Sequence, residues 1–343
     1  MIVGIDKKNN IAYDRSNPFK LNKSKLIPLQ LLDVLEIKTD HKRNMLFWED
    51  IQKKYGGKII NNATLYQFYM ENAFNGFVMT KEDIRNITRN IRIIHNWNVY
   101  KQVYKFDDDW FKYLHENFNF SKTIPLSLLA TKLPYSSFYI DNPCEITGDK
   151  FNGIFVDITD ETTYEWGNAY KTLTTCFVID DEEFGSTYSC IPLRDDLTLE
   201  DLFNRIKGTI EDENELGHFI CLKIVVALCM YLCADNKDIE IRKGNTPKEN
   251  YELKKVAKKG VKQASIGIRI GNTIRENKVK YVYEGNEHNK GSKKSPHIRG
   301  GHYHHFWVGK KDGSEERKLI LHYIEPTFIG GSVEKTTIHR VKK

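Results

Sequence analysis

The spacing of apolar positions changes along the chain. Residues 25–37 form an apolar stretch with Pro28 in its first turn, where a helix has no use for the missing N–H. Residues 43–55 place Leu46, Phe47 and Ile51 at helical spacing and stop at Gly56-Gly57. Residues 64–74 carry Leu65, Phe68, Tyr69 and Phe74 in the same way. Thr80 followed by Asp83 resembles a capping box and predicts a helix running to about Tyr104. Asp107, Asp108 and Asp109 suit the positive end of one more helix, through Phe118. Consecutive helix positions fan outward, which favours capping over a metal cluster there. The first 20 or so residues mix charge with asparagine and are expected to pack loosely.

After Lys122 the period shortens. Residues 133–141, 153–158, 173–179 and 186–193 read as strands, and the short connections between them imply antiparallel pairing. Thr198 with Asp201 caps a helix to about Ile206. The most apolar run, residues 219–234, includes Lys223 and is shorter than the roughly 20 residues of a membrane span. It predicts a buried helix over 214–234. Residues 239–242 suit an edge strand, and the lysine-rich 243–264 a mobile loop or a solvated helix. Residues 264–271 alternate Ile266, Ile268 and Ile270 and predict a strand. Its other face would hold Gly267, Arg269 and Gly271, two glycines giving room beside an arginine. Residues 278–284 would extend or pair with it.

The densest chemistry follows a polar loop at 287–295. Residues 296–309 hold four of the eleven histidines, three aromatics and three glycines. The segment predicts an extended chain bent at Gly300-Gly301. Beyond the bend, His302, His304 and Phe306 share one face and Tyr303, His305 and Trp307 the other. Residues 318–324 alternate as well and predict a hairpin partner, bringing His322 or Tyr323 alongside. The fold class is therefore α+β: a helical region over 1–121, then an α+β region over 122–343 with a largely antiparallel sheet and a buried central helix.

Composition narrows the function. Apolar residues at 40% and aromatics at 12% support a real core in a chain of 343 residues. The net charge of +6 hides an asymmetry. Residues 241–343 hold 24 Lys and Arg against 10 Asp and Glu, so the rest of the chain is acidic. A basic C-terminal part points to nucleic acid or another acidic partner, or to a solvated surface. Six cysteines without a CxxC pair, and no secretory signal, favour reduced thiols in a cytoplasm.

Three chemistries compete for the histidine segment. For a metal, His302 and His304 could share the ion from one strand face, with His305 beside them. A third ligand at proper distance is not evident, so no metal is expected, and no cofactor either. A metal-independent ribonuclease would use His302 or His304 as base and acid, with Arg299 or Arg269 on the phosphate. A binding surface without catalysis explains the same residues with fewer demands. Arginine matches phosphates and carbonyls, and flat aromatics cover a peptide or a base.

The letters themselves carry a likeness. Pro296-His297-Ile298-Arg299-Gly300-Gly301-His302-Tyr303-His304-His305-Phe306-Trp307-Val308-Gly309 resembles the pattern P-H-I-R-R-G-H-W-H-x-Y-W-x-G. That pattern belongs to the type V-A anti-CRISPR family of mobile elements, which lowers production of the RNA-guided effector nuclease. The earlier Ile266-Gly267-Ile268-Arg269-Ile270-Gly271 is similar to that family's I-G-x-R-x-G, with a further arginine at Arg275. Gly300, Tyr303 and Phe306 depart from the pattern, and the first removes an arginine. The resemblance implies a cytoplasmic inhibitor in a bacterial host, non-enzymatic or acting indirectly. It would recognise the effector's nascent N-terminal peptide, cause loss of its mRNA, and lie near the ribosome or that mRNA. The implied surface is Arg269, Arg275, His297, Arg299, His302, Tyr303, His304 and Trp307. The alternative is a ribonuclease or RNA-binding protein of a mobile element.

Overall fold

The computed structural model describes residues 4–5, 11–12, 25–34, 92–94, 96–118, 124–159, 171–179, 186–208, 210, 212–284, 297–310 and 317–329. The helices expected over 43–55 and 64–74, and the start expected at Thr80, lie outside them. In chain order come β1 (Gly4–Ile5), β2 (Ile11–Ala12), α1 (Ile27–Val34), β3 (Gln102–Phe106), α2 (Asp108–Glu116) and α3 (Ser127–Lys132). Then follow β4 (Ser137–Ile140), β5 (Cys144–Ile146), β6 (Asp149–Thr159), β7 (Thr172–Ile179) and β8 (Ser186–Pro192). Next are α4 (Leu199–Lys207), α5 (Glu213–Cys233), β9 (Ile239–Ile241), α6 (Pro247–Ala257), β10 (Lys262–Ile266) and α7 (Ile268–Glu284). The last four strands are β11 (His297–Arg299), β12 (His302–Val308), β13 (Lys318–Ile324) and β14 (Thr327–Ile329).

The main sheet runs β8-β7-β6-β4-β3-β10-β9, with β5 on β6. Most neighbours are antiparallel, but β3 lies parallel to both β4 and β10. Alternation sends its side chains to two cores. Tyr104, Phe106, Phe138, Ile140, Ile154, Val156 and Phe177 meet α2 and the buried α5 on one face. Val103, Tyr139, Phe155, Cys176 and Val178 meet Ile27, Leu31, Ile94 and Trp97 on the other. A strand covered on both sides is mostly apolar, and β4 is buried along its whole length, with Ser137 followed by Phe138, Tyr139 and Ile140. Helix α5 is long and apolar enough to cross a membrane, but about two thirds of it is buried within this protein. Its cysteines Cys221, Cys229 and Cys233 are buried free thiols, and burial pushes Cys221 up to about 12.

Several expectations hold. The box of Thr198 and Asp201 caps α4, Asp107 caps α2, β9 is the sheet edge, and α6 is a solvated helix with no buried residue. Two are corrected. The helix ending near Tyr104 stops at Tyr100, because Gln102–Phe106 is taken into the sheet by two parallel neighbours. The strand over 264–271 ends at Ile266, and Ile268 begins α7, which also absorbs residues 278–284. The cause is non-local. Asp238 supplies the cap, its carboxylate accepting from the Arg269 N–H at 2.9 Å and its carbonyl from Gly267 at 2.8 Å. Elements on both sides of residue 122 share these cores: β3 is central in the sheet, and α2 packs on α5 and α7.

One charge is buried in the sheet. Asp157 on β6 is 1% exposed and accepts from Asn96 Nδ2 at 2.9 Å. Burial raises its carboxyl from 3.8 to about 6, although the Asn96 bond and the charge of Arg92 oppose the shift. The folded chain therefore holds this proton more tightly than the unfolded chain does. The resulting stabilisation is complete below about 3.8 and is lost as pH rises through about 6. Asp157→Asn is expected to flatten stability across that window. Near pH 7 it should raise stability by on the order of 2–3 kcal/mol. Urea unfolding of both proteins across the window tests this; parallel curves would contradict it.

Candidate functional site: an open hairpin on an aromatic seat

Strands β12 and β13 pair antiparallel, with Tyr303 opposite Tyr323, His304 opposite His322 and Phe306 opposite Ile320. Strands β11 and β14 pair in the same register, Arg299 opposite Thr327. The two pairs form one long ribbon, interrupted where Gly300-Gly301 faces Glu325-Pro326. Proline has no N–H for the ladder, which explains the gap.

The inner face is fixed by aromatic packing. Tyr303 lies 4.9 Å from Tyr323 and 6.0 Å from Phe118, ring centre to ring centre. Tyr323 also meets Trp110 at 5.4 Å and Tyr231 at 5.5 Å. Each edge-to-face pair contributes about 0.5–1.5 kcal/mol beyond its buried area. Tyr113 stacks on Trp110, and its hydroxyl accepts from the Gly301 N–H at 3.1 Å. Burial raises the phenols of Tyr113, Tyr303 and Tyr323 above their ordinary value, so all three stay neutral.

The two glycine motifs serve this seat. A Cβ on Gly301 would stand 1.9 Å from the Tyr323 hydroxyl. One on Gly267 would stand 2.0 Å from the Trp110 ring, and one on Gly271 1.9 Å from the Asp107 carboxylate. That carboxylate caps α2 and also accepts two bonds from Arg275, both at 2.9 Å. Arg275 reaches Asp109 at 2.9 Å as well, and these bonds raise its already high pKa. Arg269 forms a two-pronged pair with Glu325, at the ribbon's bend.

The proposed residues thus fall into groups. Arg275 ties α7 to α2, Tyr303 points into the seat, and Arg269 is exposed but engaged by Glu325. His297 pairs with Ile329 in β11. Arg299, His302, His304 and Trp307 are exposed. Phe306 joins them, its ring 5.8 Å from His304 and 5.3 Å from His322. Arg317 lies 5.7 Å from the Trp307 ring. His322 and Phe306 were not in the expected set; the hairpin register, readable from alternation, was the signal for both. Among the described residues no three metal-binding side chains converge. The exposed ribbon does not exclude water, and two arginines suited to phosphate are already paired.

The ribbon's edges differ. Beyond β13, Asp235 and Asn236 imitate a further strand. Asp235 exchanges bonds with Leu321 at 2.7 and 2.9 Å, and Asn236 with Tyr323 at 2.8 Å each way. The backbone N–H and C=O of Leu321 and Tyr323 therefore point away from β12. Those of their opposites Tyr303 and His305 point away from β13, as do those of Trp307 by the same alternation. No hydrogen bond among the described residues reaches the outward N–H and C=O groups of these three.

The hairpin and most of the α+β core fall within the stretch that matches a class of known proteins, the anti-CRISPR proteins of type V. Within it, the chain belongs to the Anti-CRISPR type V subtype A2 family (AcrVA2-like), whose family profile matches residues 104–331. Its activity is directed against type V-A CRISPR, and its target is related to a CRISPR effector. Among solved structures it is similar to the crystal structure of AcrVA2, with 16% identity and a TM-score of 0.46. That similarity covers 84% of this chain and 99% of the other. No curated protein matches.

Proposed function

We propose that this protein blocks production of a type V-A CRISPR effector by binding the effector's nascent N-terminal peptide. Binding takes place in the bacterial cytoplasm and leads to loss of the effector mRNA. The observation that carries the reading is the open edge of β12. An extended peptide adds to such an edge by main-chain bonds, and neighbouring side chains then select its sequence. Here those neighbours are His302, His304, Phe306 and Trp307, with Arg299 at the near end. A peptide just made is still unfolded and meets the edge with its own backbone free.

The test is to express the protein beside a type V-A effector and follow effector message and effector protein together. Recoding the first codons while keeping the peptide should leave both sensitive. Changing the peptide while altering the message as little as possible should rescue both. Rescue by synonymous recoding would overturn the peptide reading in favour of RNA recognition.

A further inference from the structure

Away from the hairpin, three chain segments bring lysines to one place. Helix α6 carries Lys254 and Lys255 in its last turn, and Lys258 and Lys259 follow directly after it, all four exposed. Lys262 opens β10, and its N–H donates to the Lys101 carbonyl at 2.9 Å. Lys101 precedes β3, and its Nζ donates to the Lys259 carbonyl at 3.1 Å. The carbonyl end of α6 attracts its own lysines, but Lys101 and Lys262 come from other elements. None of the six forms an ion pair among the described residues, whereas Lys105, Lys112 and Lys132 all do. The acidic residues of α6, Glu249 and Glu252, lie in its N-terminal half, and Glu249 is held by Arg242. Burial and the charge of Lys259 lower the pKa of Lys101, as expected of cations gathered without a counter-ion.

Aromatics interleave with this charge. Lys262 Nζ lies 5.6 Å from the Tyr135 ring centre, and Tyr135 meets the exposed Tyr100 ring at 6.0 Å. Val99 beside it is 60% exposed. We infer that the lysines around the end of α6, with Tyr100 and Tyr135, form a binding surface for single-stranded RNA. Ammonium groups from several elements follow a phosphate backbone, and a tyrosine face stacks on any base. An acidic protein would use the charge but not the rings. A membrane would need more apolar anchors than Val99. The inference does not rest on the peptide reading, since the two surfaces share no residue.

The test is fluorescence anisotropy of the full chain with a labelled single-stranded RNA of about 12 nucleotides, within the ~4–16 that such sites span. Salt is varied from about 50 to about 200 mM. The affinity should fall linearly on a log–log plot, by about 0.7 per phosphate neutralised. Joint replacement of Lys258, Lys259 and Lys262 by alanine should reduce that slope by about 2. All three are exposed, so the core is untouched. Tyr100→Ala should weaken binding about 5- to 150-fold and leave the slope unchanged. Absence of RNA binding would overturn the inference, as would a triple variant with the original slope. Capture by phosphatidylserine vesicles without RNA binding would also overturn it.

Discussion

Gly267→Ala is expected to destabilise the protein by about 2–5 kcal/mol. Two costs combine. Gly267 has φ +74°, a left-handed conformation that costs a residue with a Cβ about 1–2 kcal/mol. The new methyl would also stand 2.0 Å from a Trp110 ring that is itself completely buried. Overpacking of this kind costs about 1–3 kcal/mol, because neighbouring rings must move. Trp110 has little freedom, being stacked on Tyr113 and in edge contact with Tyr231 and Tyr323. Gly148 supplies the control. It has φ +88°, and a methyl added there would meet nothing within 4 Å, so Gly148→Ala should carry only the backbone cost, about 1–2 kcal/mol. Urea unfolding of both variants separates the two terms. Equal losses would mean that Trp110 yields freely and that the glycine serves the backbone alone.

The same site shows what the sequence could and could not reveal. Alternation in residues 302–308 and 318–324 was enough to place the hairpin and to put His302, His304 and Phe306 on one face, as the ladder has them. Local capping letters were enough for α2 and α4. The strand expected around Arg269 failed because its stop signal, Asp238, lies 31 residues earlier. Nor do residue letters say which arginines are engaged. The partners of Arg275 lie 166 and 168 residues away, and the partner of Arg269 lies 56 away. A motif that looks like one chemical unit divides in the fold. Gly267, Gly271, Arg275, Gly301 and Tyr303 hold the aromatic seat, while His302, His304 and Phe306 face outward and Arg299 and Trp307 are exposed. Both halves depend on the same register, so a change in the seat displaces the outward face without touching it.

Function should be separable from that seat at His305. Its backbone N–H points away from β13, so His305→Pro removes one donor from the open edge while every β12–β13 bond is kept. Proline is tolerated at such edge positions, and the closed edge at Asp235 and Asn236 continues to anchor β13. His305→Ala removes the same imidazole but retains the N–H. If the peptide is added as a strand, His305→Pro should lose at least about tenfold in peptide affinity. That is the equivalent of one lost main-chain bond, about 1–1.5 kcal/mol, with added hindrance from the ring against the incoming strand. Effector message and protein should recover in parallel, and His305→Ala should behave much like the parent. Thermal unfolding of the two variants should differ little. Equal loss of affinity in both would assign recognition to the imidazole instead of the backbone edge, and full activity in both would move the peptide off β12 altogether.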